Sequence, residues 1–315
     1  MTQKECSGIA HAIIRNDWDD TPILQYEKYT ISQFESAAFD SDYRCYKVSW
    51  KEWNHVGSVV LGNSVQRGMV FKITNTTEYF VLQLLSTRRI PVPAILAGMR
   101  CKQGECMIFE QLLPGEELYS AVEHDLWNMA ARALSKIHLE FWNIQNGEIT
   151  RQLPVSSTIL EKLHRANMHI LHNSLWQCYM REITKRLESI PKTLIHGDMF
   201  PTNVIVDNND VWFIDWADAC VFGYAFDIAR LTSIVDTRTL QPMCPCPEEV
   251  ISTYYENIKS KLGLEYTEFI KDIQMAQFIE IASNYSPPGY YADKEYNSIL
   301  EKELNRIAIE YYSKV

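Results

Sequence analysis

The chain has no apolar run near the roughly 18 residues needed to span a bilayer. Its first residues, with Lys4, Glu5 and Asp17-Trp18-Asp19-Asp20, lack the pattern of a secretory leader. Both absences lead us to expect a cytoplasmic protein with no membrane partner. A basic excess is missing too: 30 Lys and Arg stand against 40 Asp and Glu, a net charge of −10. Nucleic acid is therefore not expected as a partner, because a phosphate backbone calls for a basic face. The eight cysteines, at 6, 45, 101, 106, 178, 220, 244 and 246, show no zinc-like spacing and read as free thiols. Nor does the chain contain G-x-G-x-x-G.

What is present suits a packed globular protein. Apolar residues make up 46% of 315 positions and aromatics 12%, enough for a sizeable core spread over two lobes. The informative stretch is Leu194-Ile195-His196-Gly197-Asp198-Met199-Phe200-Pro201-Thr202-Asn203-Val204-Ile205-Val206, followed by Trp212-Phe213-Ile214-Asp215-Trp216. Apolar runs flank a polar loop, and Asp207-Asn208-Asn209-Asp210 marks a turn, so the stretch reads as a β-hairpin with a loop at its entrance and a carboxylate at its exit. Phosphoryl transfer needs one carboxylate to orient a hydroxyl and take its proton, and an amide oxygen and a second carboxylate to hold Mg²⁺. Asp198, Asn203 and Asp215 supply these in the chain order of a kinase catalytic loop and its metal-binding Asp. A competing chemistry is a two-metal hydrolase begun by His196-x-Asp198 with Asp215 and Asp218. It is poorly supported, since the other histidines, among them His124, His138, His164, His169 and His172, form no further motif of that kind.

H-G-D-x-x-x-x-N followed by I-D-W resembles the aminoglycoside phosphotransferase and choline kinase superfamily of small-molecule kinases. The resemblance implies an α+β, two-lobed protein-kinase-like fold, with a small antiparallel-sheet N-lobe and a larger, mainly helical C-lobe. Residues 1–42 would be a helical or irregular extension packed on the N-lobe, residues 43–111 the N-lobe and residues 112–315 the C-lobe. Lys72 sits in the apolar Val70-Phe71-Lys72-Ile73, where a charge needs a partner. The resemblance supplies the nucleotide phosphates and Glu78. Gly57 would lie in the loop over the phosphates, where a missing Cβ lets the backbone approach. Cys106 to Gly115, a strand ending in Glu110 and leading to a Pro-Gly turn, resembles the family hinge. There the main chain around Gln111 and Leu112 would meet the adenine edge.

Two further helices are expected: one from Leu126 to Trp142, apolar at i, i+3, i+4 and i+7, and one over about Thr158–Ser189. His138 reads as a hydrogen-bonded core histidine, and Asp227, in a D-I-A run like the family's, as a brace at the start of its own helix. Beyond residue 232 the chain reads as helical and tyrosine-rich. The implied activity is transfer of phosphate from ATP, with GTP open as the donor, to a hydroxyl of a small polar acceptor, with Mg²⁺. The acidic balance fits a cationic acceptor such as an aminoglycoside. Alternatives are a metabolic kinase acting on choline, homoserine or a sugar derivative, and a nucleotide-binding scaffold without transfer.

Overall fold

The structure, a computed structural model, describes residues 23–26, 29–33, 45–50, 68–100, 105–144, 147–208, 210–287 and 293–313. Gly57 and the apolar run Val56–Leu61 lie outside them. The chain forms two compact units, residues 1–117 with 205–217 and residues 118–204 with 218–315.

The first unit is built on a six-stranded antiparallel sheet. Its strands are β1 (Ile23–Tyr26), β2 (Tyr29–Gln33), β3 (Cys45–Trp50), β4 (Gly68–Asn75), β5 (Ile95–Arg100) and β6 (Glu105–Gln111), in the order β1-β2-β3-β4-β6-β5. At residues 23–26 and 29–33 this corrects the reading of the segment as helical or irregular. Tyr29-Thr30-Ile31 is β-branched and aromatic, and β2 pairs with β3 in a continuous register from Tyr29↔Trp50 to Gln33↔Tyr46. Helix α1 (Thr76–Thr87) follows β4 directly. Asn75 caps it by accepting from the Glu78 N–H, and Glu78, Val81, Leu82 and Leu85 form the buried stripe at i, i+3, i+4 and i+7. One carboxylate thus occupies a core position.

The units do not divide at Gln111. Strand β7 (Glu116–Glu117) pairs with β9 (Val204–Asp207), which neighbours β10 (Asp210–Phe213), and the Phe213 N–H donates to Pro91 O at 3.1 Å. Those bonds draw the hairpin that leads to Asp215 into the first unit.

The second unit is mostly helical: α2 (His124–Glu140), α3 (Gly147–Gln152), α4 (Ser157–His169), α5 (Ser174–Ser189), α6 (Ala225–Ser233), α7 (Pro247–Leu262), α8 (Tyr266–Asn284) and α9 (Lys294–Ser313). The helix expected over 158–189 is two, because the Asn173 side chain accepts from the N–H groups of Leu175 and Trp176 and so starts α5 anew. Helix α8 is buried over much of its surface, Asp272, Gln274 and Glu280 included, and it packs against α4, α6 and α9. A two-stranded ribbon, β8 (Lys192–Ile195) with β11 (Cys220–Gly223), carries the polar loop that begins at His196. Among the described residues no helix is long and apolar enough to cross a membrane.

Candidate active site

In the first unit the pleat places the charged groups. Lys72 faces Ile108 across β4–β6 and Val70 faces Glu110, so Lys72 and Glu110 share one face as diagonal neighbours. Lys72 Nζ pairs with Glu78 and lies 3.7 Å from Glu110 and 3.5 Å from Asp215. Glu78 also accepts from Thr74 Oγ1 and, at 3.3 Å, from the Trp216 N–H. One lysine therefore serves three carboxylates, and Lys72, Glu78 and Glu110 are all buried. Burial pushes Glu110 up to about 7; Lys72 pulls against this, while Glu78 and Asp215 push further. Glu78 is raised too, by burial against the opposing pull of Lys72. Among the described residues the cluster is short of positive charge.

Asp215 stands at φ +63°, the left-handed region that a non-glycine residue enters at a cost of about 1–2 kcal/mol. The segment after it is fastened by Asn75, whose Nδ2 donates to Ala217 O at 2.9 Å while its Oδ1 caps α1. At the end of β6 the Gln111 N–H is committed to Ala94 O at 2.9 Å, and Leu112 follows, half-buried.

The loop of the second unit is hung from one buried carboxylate. Asp227 accepts from the N–H groups of His196 (2.7 Å) and Gly197 (3.1 Å) and lies 3.1 Å from His138 Nε2. Asp227 thus braces the loop at His196 and Gly197, not the start of its own helix, because its side chain leaves α6 toward β8. Burial raises the Asp227 carboxyl, but the His138 hydrogen bond and charge together with His196 leave it lowered. The other nitrogen of His138 meets the Tyr254 hydroxyl at 2.5 Å, so His138 is a hydrogen-bonded core residue as the sequence indicates. Gly197, at φ +82°, has no room for a side chain: a Cβ there would stand 2.2 Å from Asp218 O.

Asp198 is held from two sides. Arg230 donates to Oδ1 at 2.5 Å, and Asn203 Nδ2 donates to the Asp198 carbonyl at 2.9 Å and to Oδ2 at 3.3 Å. Arg230 also donates to Glu280 at 2.6 Å, and Lys162 does so at 3.0 Å. The Arg230 guanidinium lies 5.3 Å from the centre of the Phe200 ring. Burial works to raise the Asp198 carboxyl, yet Arg230, then Lys162 and His196, leave it lowered. Glu280 is lowered in the same way by Arg230 and Lys162. Beside them Asp218 accepts from Thr158 Oγ1 at 2.6 Å, and burial raises it.

Within each unit, then, the structure gathers residues singled out in the sequence: Lys72, Glu78, Glu110 and Asp215 in the first, Asp198 and Asn203 in the second. Sequence reasoning missed Arg230, Glu280 and Lys162, and it valued Glu110 for its backbone alone. A signal existed for two of the missed residues. Glu280 is the single charge in the mostly apolar Met275–Ala282, and Arg230 follows Asp227 by three residues, on the same helix face.

Residues 66–243 match the model of the phosphotransferase enzyme family, APH. No curated protein matches the chain by sequence. Among solved structures, the ethanolamine kinase of Plasmodium vivax is 15% identical with a TM-score of 0.57, covering 100% of this chain and 97% of its own. An amicoumacin kinase in complex with AMP-PNP, Ca²⁺ and Ami is 13% identical (TM-score 0.57; 98% and 96% covered). The GDP and kanamycin complex of APH(2″)-IIIa is 14% identical (TM-score 0.53; 96% and 99% covered). At these identities the likeness shows the fold, a mixed α/β, protein-kinase-like one.

Proposed function

The chain belongs to the phosphotransferase enzyme family, and from that premise we propose that it transfers the terminal phosphoryl group of a nucleotide, ATP foremost, to a hydroxyl of a small amine-bearing acceptor. The observation that carries the reading is the hold on Asp198, whose two carboxylate oxygens are fixed by Arg230 and Asn203. A carboxylate held ionised and aimed is suited to orient a hydroxyl. The acceptor oxygen forms a bond to the terminal phosphorus, the bond to the nucleoside diphosphate breaks, and Asp198 receives the hydroxyl proton.

Oxygen donors suit Mg²⁺. Asn203 spends its amide N–H groups on Asp198, which leaves its amide oxygen as a ligand, and Asp215 adds a carboxylate to a cluster already short of positive charge. When bound, the ion would neutralise phosphate charge. Lys72, braced by Glu78, would contact the phosphates. With the Gln111 N–H committed to Ala94, Leu112 would supply the backbone donor to the base. The net charge of −10 supports an amine-bearing acceptor, as do the names of two structures of this fold, one an ethanolamine kinase and one bound to kanamycin.

Purified protein with Mg²⁺-ATP or Mg²⁺-GTP and a pool of aminoglycosides, amino alcohols and sugars tests this directly. We expect ADP or GDP release together with an acceptor that gains the mass of one phosphoryl group. Asp198→Asn should lower turnover by about two to four orders of magnitude, the usual worth of a general base, while nucleotide affinity stays the same. Phosphate release from esters without nucleotide would favour the hydrolase instead, and failure to bind any nucleotide would sink the proposal.

A further inference from the structure

Helices α2 and α7 of the second unit run side by side in the same direction. His124 meets Glu249, and four residues on, Asn128 accepts from the Thr253 hydroxyl at 2.9 Å. Both helices therefore begin at the same place, and three possible metal ligands gather there. His124 is the first residue of α2, Cys246 is the N-cap of α7, and Glu249 lies in the first turn of α7. His124 Nδ1 is 3.3 Å from each Glu249 carboxylate oxygen. A nitrogen, a sulfur and an oxygen, one from each residue, lie within 4.8 Å of one another, the one such group among the described residues.

We propose that His124, Cys246 and Glu249 form a binding site for a divalent metal ion of the zinc type, closed by one water. The donor set is mixed N, S and O, which a borderline-soft ion accepts and Mg²⁺ or Ca²⁺ does not. Bonds of about 2.0–2.3 Å around a tetrahedral ion would bring the donors to roughly 3.3–3.7 Å apart. The nitrogen–oxygen pair is already there. The remaining approach falls to His124 and Glu249, which are exposed and free to turn, while Cys246 is buried and stays. The two helix N-termini favour the thiolate and the carboxylate that such an ion requires. Without metal the Cys246 thiol keeps its proton, since burial and the Glu249 charge both raise it. Binding forms the metal–sulfur bond and releases that proton to solvent. The Cys244 thiol lies against Cys246 and would hydrogen-bond the coordinated sulfur. No sequence motif announces the site, because 122 residues separate His124 from Cys246.

The test uses the full chain, reduced and stripped with a chelator, titrated with Co²⁺ as a spectroscopic stand-in. A thiolate-to-cobalt charge-transfer band should grow to one ion per chain, and Zn²⁺ should abolish it. Cys246→Ser should remove the band with the melting temperature of the metal-free protein unchanged. His124→Ala should weaken binding on the order of tenfold or more, and Cys244→Ser should keep the band. Absence of a band, or a band that survives Cys246→Ser, overturns the proposal. None of these readouts depends on phosphoryl transfer.

Discussion

Two buried charge clusters, one in each unit, are built on opposite plans. In the first, Lys72 answers Glu78, Glu110 and Asp215, so among the described residues negative charge is in excess. In the second, Arg230 and Lys162 answer Asp198 and Glu280, two against two. Burial pushes Glu78 and Glu110 toward the protonated form, since Lys72 is shared with Asp215 and offsets it only in part, whereas Arg230 and Lys162 outweigh burial and keep Asp198 and Glu280 ionised. A balanced cluster is finished without ligand and can hold its geometry in advance. An unbalanced one is completed from outside, by a proton or by a cation. The contrast separates a part that positions from a part that recruits.

The comparison breaks most sharply at Glu280. Glu280→Gln leaves Arg230 and Lys162 two buried cations with one carboxylate between them, and losing one partner of a buried pair costs about 3–5 kcal/mol. Urea unfolding followed by tryptophan fluorescence should show a loss of that size, and an unchanged midpoint would mean that the cluster is not holding the unit together.

A pH series sharpens the same contrast, because the two plans give opposite signs. Glu110 is raised from its ordinary 4.5 to about 7, so its contribution is fully present below pH 4.5 and is lost as pH rises toward 7. Asp198 and Glu280 are lowered from 3.8 and 4.5, so theirs is present above those values and is lost as pH falls below them. Corrected for the intrinsic pH dependence of amide exchange, protection of peptides from α1 and β6 should fall between pH 4.5 and 7, and that of peptides from α6 and α8 below about pH 4. Glu110→Gln should flatten the first trend and leave the second. Equal behaviour of the two sets of peptides would remove the distinction.

The smallest effect is expected at the edge of the unbalanced cluster. Asn75→Ala removes the α1 cap and should cost about 1 kcal/mol. It also cuts the tie to Ala217, so the Trp216 amide should exchange faster. A change confined to the α1 amides would show that cap and tie are independent.

Much of this was legible in the sequence because the informative residues lie close together in it. Asp198, Asn203 and Asp215 fall within eighteen positions, and Lys72 and Glu78 within seven, so a motif and the resemblance it carries suggested their chemistry. The balanced cluster was not legible for the opposite reason: Lys162 and Glu280 are 118 residues apart, and Arg230 and Asp198 are 32 apart. Local pattern gave no strand signal at β1 and β2, which lie within the stretch read as helical or irregular. It misled at Asn173, a polar residue whose side chain restarts a helix.

The left-handed backbone at Asp215 narrows what that position can become. Asparagine and glycine tolerate φ +63°, and both are one nucleotide away from aspartate in the genetic code. Either would remove the carboxylate while leaving the turn intact, and would ease the excess of negative charge around Lys72. The shortest mutational path away from this carboxylate therefore keeps the fold and relieves it. Loss of this carboxylate lies one substitution from the chain, and stability offers it no resistance.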